Sequence, residues 1–449
     1  MVSSIDERFL ATHRKSRELW QRSLKVSRGV HHDSRHAQPF PIYCTHAQGA
    51  RKWDVDGNEY IDYTMGHGSL MFGHAHPVLV EAVSRQVALG THFGAETLQA
   101  LEWAELVHQL VPCAERVEFV MTGTEANMLA AQLSRACTGR HKVLKFSEHF
   151  FGWYDELQVG VNRPYDKPVA GRLPSMYEDA VSGGTVVIPV NDLAALEKAL
   201  AKRDIAALFL EGGGAHCGEI GLPPDVVRMA RELTSKYGSL LVIDEVITGF
   251  RWSPGGYQAT VGVVPDLSSL GKMVSGGLPG AALCGRADVM EYLEVKPGQA
   301  GWNRYRRVVH PGTWNGNPLA AAAGTAMLKL LVSTEPQKQA EMMAHRLAKG
   351  INAKMAEAGI EGCAFNASSA IHVFIGKCQG CDRSVCLDSQ KQEAPGVPLT
   401  LQKYLLMNGV HLLRGTVGWV SAVHTVEDID LTVEAFGRAL YGMAQEGAI

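Results

Sequence analysis

The sequence predicts an α/β protein built on a mostly parallel sheet of seven strands, with helices on both faces. Three observations carry that prediction. Short apolar runs recur between residues 117 and 330: VEFVM at 117–121, KVLKF at 142–146, TVVIP at 185–189, AALFL at 206–210, LLVID at 240–244, LSSL at 267–270 and GAALC at 280–284. The segments between them read as helices, so consecutive strands are joined by crossovers and run parallel. The chain also has the means to bury such a sheet, with 449 residues, 46% hydrophobic and 20% charged, which is two to three domains' worth of globular sequence.

The remaining elements fall on either side of this core. Residues 5–25 read as one helix, with Phe9, Leu10, Leu19 and Leu24 set among charges. The stretch from Gly49 to Asp62 carries an Asp56-Gly57 pair between alternating flanks, the signature of a hairpin. Helices are expected at 77–90, 97–111, 317–332 and 338–358. Strands at 370–375 and 417–421 and helices at 398–408 and 426–441 then form a smaller α+β domain. The expected division is therefore 1–75, an N-terminal helix and hairpin packing with the small domain; 76–335, the large sheet domain; and 336–449, the small domain itself.

Composition narrows the function classes. A net charge of −3 and scattered Lys and Arg do not suit a nucleic-acid or membrane-surface protein. The N-terminal stretch is charged and lacks the apolar region of a secretory signal, and no apolar run reaches the ~18 residues of a membrane span. Nine cysteines, an odd number mostly in apolar segments, suit reduced thiols and a cytoplasmic location. Cys378, Cys381 and Cys386 cluster in the polar, turn-rich stretch 376–396 without a fourth ligand at zinc spacing. They read as free thiols on an irregular insertion, and no metal is expected.

On parallel sheets, ligands bind at the carboxyl ends of the strands. Three such ends carry unusual residues. Strand 240–244 ends in Asp244-Glu245; a carboxylate buried there is costly unless paired, although a helix cap or ion pair explains it equally. Strand 267–270 leads through Gly271 to Lys272 and a glycine-rich turn. A lysine among small and apolar residues loses its proton readily and becomes an amine nucleophile, although many surface lysines precede glycine loops. Strand 117–121 leads into Thr122-Gly123-Thr124-Glu125 and a helix, which reads alone as an ordinary cap and together with its dipole as an anion site. Together, a phosphate cradle, a strand-end acid and a lysine match the needs of pyridoxal phosphate (PLP): an amine for the aldehyde, and an acid that keeps the pyridine nitrogen protonated.

At these residues the sequence resembles the class III, fold type I PLP-dependent aminotransferases. It is most similar to the branch with glutamate-1-semialdehyde 2,1-aminomutase and the aminotransferases for β-, D- and aromatic amino acids. The resemblance spans roughly residues 15–445 through WDVDGNEYIDY, GHAHP, TGTEAN, LVIDEVITGFR, SLGKMVSGGLPGAALCGR, HPGTWNGNPLAAAAG and SAVHTVEDID. It implies that Lys272 is the Schiff-base lysine and proton shuttle and that Asp244 pairs with the pyridine nitrogen. It places Val246 on one ring face and Phe150 where the family has a stacking Tyr. Thr122, Gly123 and Thr124 would hold the phosphate, and His216 would lie near the ring hydroxyl, where aminomutases place an Asn. Thr313 would reach the phosphate of the other subunit, which implies a homodimer with shared active sites. Arg35 would take the substrate carboxylate through a planar, bidentate guanidinium, and His67, Trp153 and Arg414 join it as substrate-binding candidates. Phe93 and Tyr154 are further pocket candidates, and Arg304, Arg306 and Arg307 read as a solvated basic loop.

Departures from the pattern bear on the reaction. Phe150-Phe151-Gly152 replaces Tyr-His-Gly, Glu211-Gly212 replaces Glu-Pro, and His67 replaces a tryptophan common in aminomutases. Arg414-Gly415-Thr416 occupies the stretch where aminomutases carry an acid. The expected function is therefore amino transfer to an oxo acid by ping-pong half-reactions through an internal aldimine. The alternatives are a 2,1-aminomutase of the glutamate-1-semialdehyde type, and a PLP-fold binding protein without catalysis, against which the intact Asp244 and Lys272 stand.

Overall fold

The computed structural model describes residues 4–32, 35, 37–161, 184–376 and 396–449. Two compact units emerge, one formed by Met1–Pro77 with Glu335–Ile449 and the other by Val78–Thr334.

The larger unit holds seven strands: β1 (Arg116–Val120), β2 (Lys142–Phe146), β3 (Thr185–Ile188), β4 (Ile205–Glu211), β5 (Leu240–Glu245), β6 (Leu267–Leu270) and β7 (Ala281–Gly285). Their spatial order is β1-β7-β6-β5-β4-β2-β3. All neighbouring pairs are parallel except those of β7, which runs antiparallel to both β6 and β1. Strands β4, β5 and β7 are buried at every residue, as expected where helices cover both faces. The alternation of side chains builds two cores. Ala207 and Phe209 of β4 pack with Val242 of β5 and with Ala126, Ala130 and Leu133 of the helix Gly123–Thr138. Leu208 and Leu210 pack on the other face with Leu241, Ile243 and the helices Leu193–Leu200 and Pro224–Tyr237.

Register sets up the site. Glu211 pairs with Asp244 across β4 and β5, and Asp244 pairs with Ser269 across β5 and β6. The polar ends of three adjacent strands are thus flush. The turn after β6 is held from behind: Trp103, 1% exposed, donates its indole N–H to the carbonyl of Val274 at 2.8 Å and stacks on Phe119 at 3.8 Å. The helix Pro318–Thr334 passes so close that a Cβ on Gly324 would lie 2.4 Å from Trp103 Nε1.

In the smaller unit, Cys44–Gln48, Arg51–Asp54 and Glu59–Asp62 form an antiparallel sheet, extended in parallel by Val410–His411. A second sheet joins Gly362–Ala367, Ala370–Ile375 and Val417–Trp419. The helices Pro336–Ala358, Val397–Met407 and Val426–Gln445 supply most of its core. The helix expected at 5–25 is two helices, Ile5–Thr12 and Arg14–Ser23. His13 leaves helical geometry between them (φ −125°, ψ 43°), and its buried imidazole sits 2.8 Å from the Tyr60 hydroxyl. The Asp56 carboxylate then accepts the backbone N–H groups of Lys15 and Ser16 at 2.7 and 3.0 Å, a fresh helix start. Two tertiary contacts therefore override a continuous helical pattern. The cysteines at 378, 381 and 386 lie outside the described residues. Among the described residues, no helix is long and apolar enough to cross a membrane.

Asp266, 2% exposed just before β6, ties this sheet together. It accepts the Leu241 N–H at 2.7 Å and pairs with Arg231 at 2.8 Å and Arg286 at 2.6 Å. Arg231 and Arg286 are 24% and 45% exposed and can turn to solvent when Asp266 is removed, whereas the Leu241 N–H is left without its acceptor. Asp266→Ala is expected to lower unfolding stability by about 1–3 kcal/mol in chemical denaturation; no measurable loss would mean that the carboxylate adds little.

Candidate active site

A cavity of about 150 Å³ in the larger unit opens at the flush strand ends, lined by Gly123, Thr124, Phe150, Asp244, Val246 and Lys272, with Asn127, Gly152 and Glu211 completing its wall. A groove of about 770 Å³ among the helices Pro77–Leu89, Leu98–Leu110 and Pro318–Thr334 is larger, yet no strand end opens into it. Chemistry rather than size picks the site.

One wall is the start of the helix Gly123–Thr138. Thr122 is its N-cap: the hydroxyl accepts the Glu125 N–H at 3.2 Å, and the Glu125 carboxylate accepts the Thr122 N–H at 3.1 Å. The Thr122 hydroxyl accepts one bond from the helix and keeps its O–H to donate, while the Gly123 and Thr124 amides of the first turn have no acceptor within it. The backbone here is approached too closely for side chains. A Cβ on Gly123 would meet Val246 Cγ2 at 2.5 Å, and one on Gly152 (φ +99°) would meet Thr124 Oγ1 at 2.4 Å. Such a bare, amide-lined concavity at a helix N-terminus fits a phosphate group.

Asp244 forms the floor. Its Oδ1 accepts the Val246 N–H at 2.8 Å and its Oδ2 accepts Asn127 Nδ2 at 2.6 Å. Burial pushes its carboxyl up to about 6, against the pull of these donors and of the Lys272 charge. Lys272 opens the turn Lys272–Ser275 with φ +50°. Burial lowers its pKa, opposed by Asp244, so the neutral amine is closer to hand than in a surface lysine.

Glu211 locks the loops around the cavity. Its carboxylate accepts the N–H groups of Phe150 at 3.1 Å, His216 at 3.2 Å and Cys217 at 2.8 Å, and burial pushes it up to about 7. Phe150 is 47% exposed and presents its ring at the cavity wall, as Val246 does. His216 sits in a left-handed turn (φ 51°) with Nε2 3.6 Å from the Glu148 carboxylate. Burial alone would lower its pKa, but Glu148 and Glu211 outweigh it and raise it.

Other sequence candidates lie apart from the cavity lining. Trp153 is 76% exposed. Phe93 is also exposed, Tyr154 is half-buried, and Thr313 is exposed with its carbonyl against His92 Nε2. Arg35, His67 and Arg414 belong to the smaller unit. There Arg35 Nε lies 3.5 Å from His67 Nε2, and His67 stacks on His32 at 4.7 Å. Both line a cavity of about 390 Å³ within that unit, whereas Arg414, exposed at φ 51°, does not.

Sequence reasoning passed over three of the residues around Asp244. Asn127, Ser269 and Gly152 all stand inside quoted motifs, and an amide on the helix face shared by Ala126, Ala130 and Leu133 was the available signal for Asn127.

The chain belongs to the class III aminotransferases: residues 32–361 match the family described as Aminotransferase class-III. A glutamate-1-semialdehyde 2,1-aminomutase of Rhodopirellula baltica is 39% identical over 336 residues, 74% of each chain. The solved omega-transaminase of Sphaerobacter thermophilus is 28% identical with a TM-score of 0.84, covering 96% of this chain and 98% of its own. A solved transaminase with PLP bound is 27% identical with a TM-score of 0.86, covering 97% and 99%. The protein is thus a PLP-dependent enzyme of fold type I, and its cofactor is PLP. The amide-lined concavity, the buried acid and the enclosed lysine fit that group.

Gly152→Ala would put a methyl group against Thr124 at a backbone angle that disfavours it. Fluorescence titration of the apoprotein with PLP should show affinity weakened by about tenfold or more; unchanged affinity would remove this loop from the cofactor wall.

Proposed function

We propose that the protein is an aminotransferase that moves an amino group from an amino acid or related amine to an oxo acid in two half-reactions through one site. The observation that carries this reading is the enclosure of the Lys272 amine and the Asp244 carboxylate in one cavity, one wall of which is a bare helix N-terminus. PLP supplies an aldehyde and an electron-withdrawing ring. Lys272 holds the aldehyde and then, as the neutral amine that burial favours, takes the proton from the amino-bearing carbon of the substrate and returns it. Asp244 keeps a proton on the ring nitrogen. Thr122, Gly123 and Thr124 would hold the phosphate, Val246 and Phe150 would cover the ring, and His216 would lie near its hydroxyl.

For the substrate, Arg35 is the candidate for a carboxylate, and His67, Trp153 and Arg414 are the further substrate-binding candidates. Thr313, exposed at the surface of its unit, reaches the phosphate of a second copy in a homodimer. Transfer to an external acceptor is favoured over isomerisation because Arg414-Gly415-Thr416 lacks the acid of aminomutases and His67 replaces their tryptophan. The aminomutase is the second reading, supported by the name of the relative from Rhodopirellula baltica.

The two readings separate when α-, β- and D-amino acids are added to the holoprotein without acceptor. One equivalent of oxo product per site from some donor supports the aminotransferase. Isomerisation of a semialdehyde amino acid, with no oxo product from any donor, supports the aminomutase. Lys272→Ala should fold and lose turnover by at least ~10³-fold; near-normal rates would sink both readings. Arg35→Ala should weaken carboxylate donors by about ten- to a hundredfold relative to simple amines. Equal losses for both classes would remove Arg35 from that role.

A further inference from the structure

Asn127 projects from the helix Gly123–Thr138 onto the adjacent strands β5 and β6 and is 1% exposed. Each of its amide groups has a buried partner. Nδ2 donates to Asp244 Oδ2 at 2.6 Å and to the Phe151 carbonyl at 3.2 Å, and Oδ1 accepts the Ser269 hydroxyl at 2.6 Å. The arrangement fixes the orientation of the amide. A flipped amide would set its oxygen against both the Asp244 carboxylate and the Phe151 carbonyl, two acceptors with no proton to offer the amide oxygen when the acid is ionised. Ser269, fully buried, is the register partner of Asp244 and lies three residues before Lys272 in the sequence. With Val246 N–H on the other oxygen at 2.8 Å, both oxygens of Asp244 are tethered.

We propose that Asn127 is a positioning residue that fixes the Asp244 carboxylate and sets where the proton lies between that carboxylate and the ring nitrogen of PLP. The proposal rests on the role given to Asp244 above. A hydrogen bond to a buried carboxylate stabilises its charged form far more than one in water. Without the amide donor the carboxylate becomes the stronger base. The ring N–H bond then breaks and an O–H bond forms on Asp244, with no change in total charge. A ring that has lost this proton withdraws electrons less well, so catalysis suffers while the cofactor stays bound. Through its second N–H, Asn127 also ties the acid to the backbone beside Phe150, whose ring borders the same cavity.

The test is nitrogen NMR of protein reconstituted with PLP carrying ¹⁵N in the ring. The wild type should give the shift of a protonated ring nitrogen at neutral pH. Asn127→Leu, of similar size and without a donor, should move the shift towards the unprotonated value and lower kcat for the donor half-reaction by about ten- to a hundredfold, with KM little changed. Ser269→Ala should give a smaller displacement in the same direction. A wild-type shift and kcat in Asn127→Leu would overturn the proposal. If that variant fails to fold, Asn127→Ala decides by the same readout. Asp244→Ala separates the two levels of the argument. If it moves the shift and the Asn127 variants do not, only the role of Asn127 fails; if it leaves the shift unchanged, the role of Asp244 itself fails.

Discussion

A carboxylate buried in a protein interior must find compensation, and much of the larger unit can be read as supplying it to Asp244. The compensation comes from three separate elements: the Val246 N–H just beyond its own strand, Asn127 on the helix after β1, and the charge of Lys272 beyond β6. The first is local to the strand end, whereas the other two reach Asp244 from separate elements, Ser269 of β6 being the register partner of Asp244 and a partner of Asn127. Glu211 repeats the arrangement one strand away, where three loop amides converge on a carboxyl that burial pushes up to about 7 against their pull and that of His216. The acid at the floor and the loops at the rim are held by the same device, backbone and side-chain N–H groups brought to a strand end.

The sheet was legible because its strands are short apolar runs separated by helical segments, and the residues beyond them are conspicuous by polarity. Lys272 and Asp244 stood out for that reason. The helix 5–25 was misread as continuous because the residues that break it, Tyr60 and Asp56, are distant in sequence. The same cause hid Asn127, whose partners Asp244 and Ser269 lie 117 and 142 residues away. An asparagine carries no mark in the sequence that distinguishes a satisfied core amide from one gripping an acid. The role of Thr122 shows the converse. Its motif offered a helix cap and an anion site as alternatives, and the geometry combines them: its hydroxyl caps the helix while the adjoining bare backbone lines the cavity.

The residues read as substrate contacts are the ones for which residue type said least. Arg35 and His67 meet each other in the smaller unit, where His67 also lies against His32 and edge-on to Trp419. An imidazole in such a stack offers both a flat face and a polar edge.

The one strand that breaks the parallel pattern has a geometric consequence. Strand β7 lies between β1, which delivers the anion cradle, and β6, which delivers the lysine. With neighbouring strands ~4.8 Å apart, inserting β7 holds those two strand ends about 10 Å from one another. The antiparallel strand contributes no group to the cavity, yet it acts as a ruler. A sheet without it would draw the anchoring end and the reacting end together by one strand width, and a ligand carrying a phosphate on one side of an aromatic ring and an aldehyde on another would no longer span them.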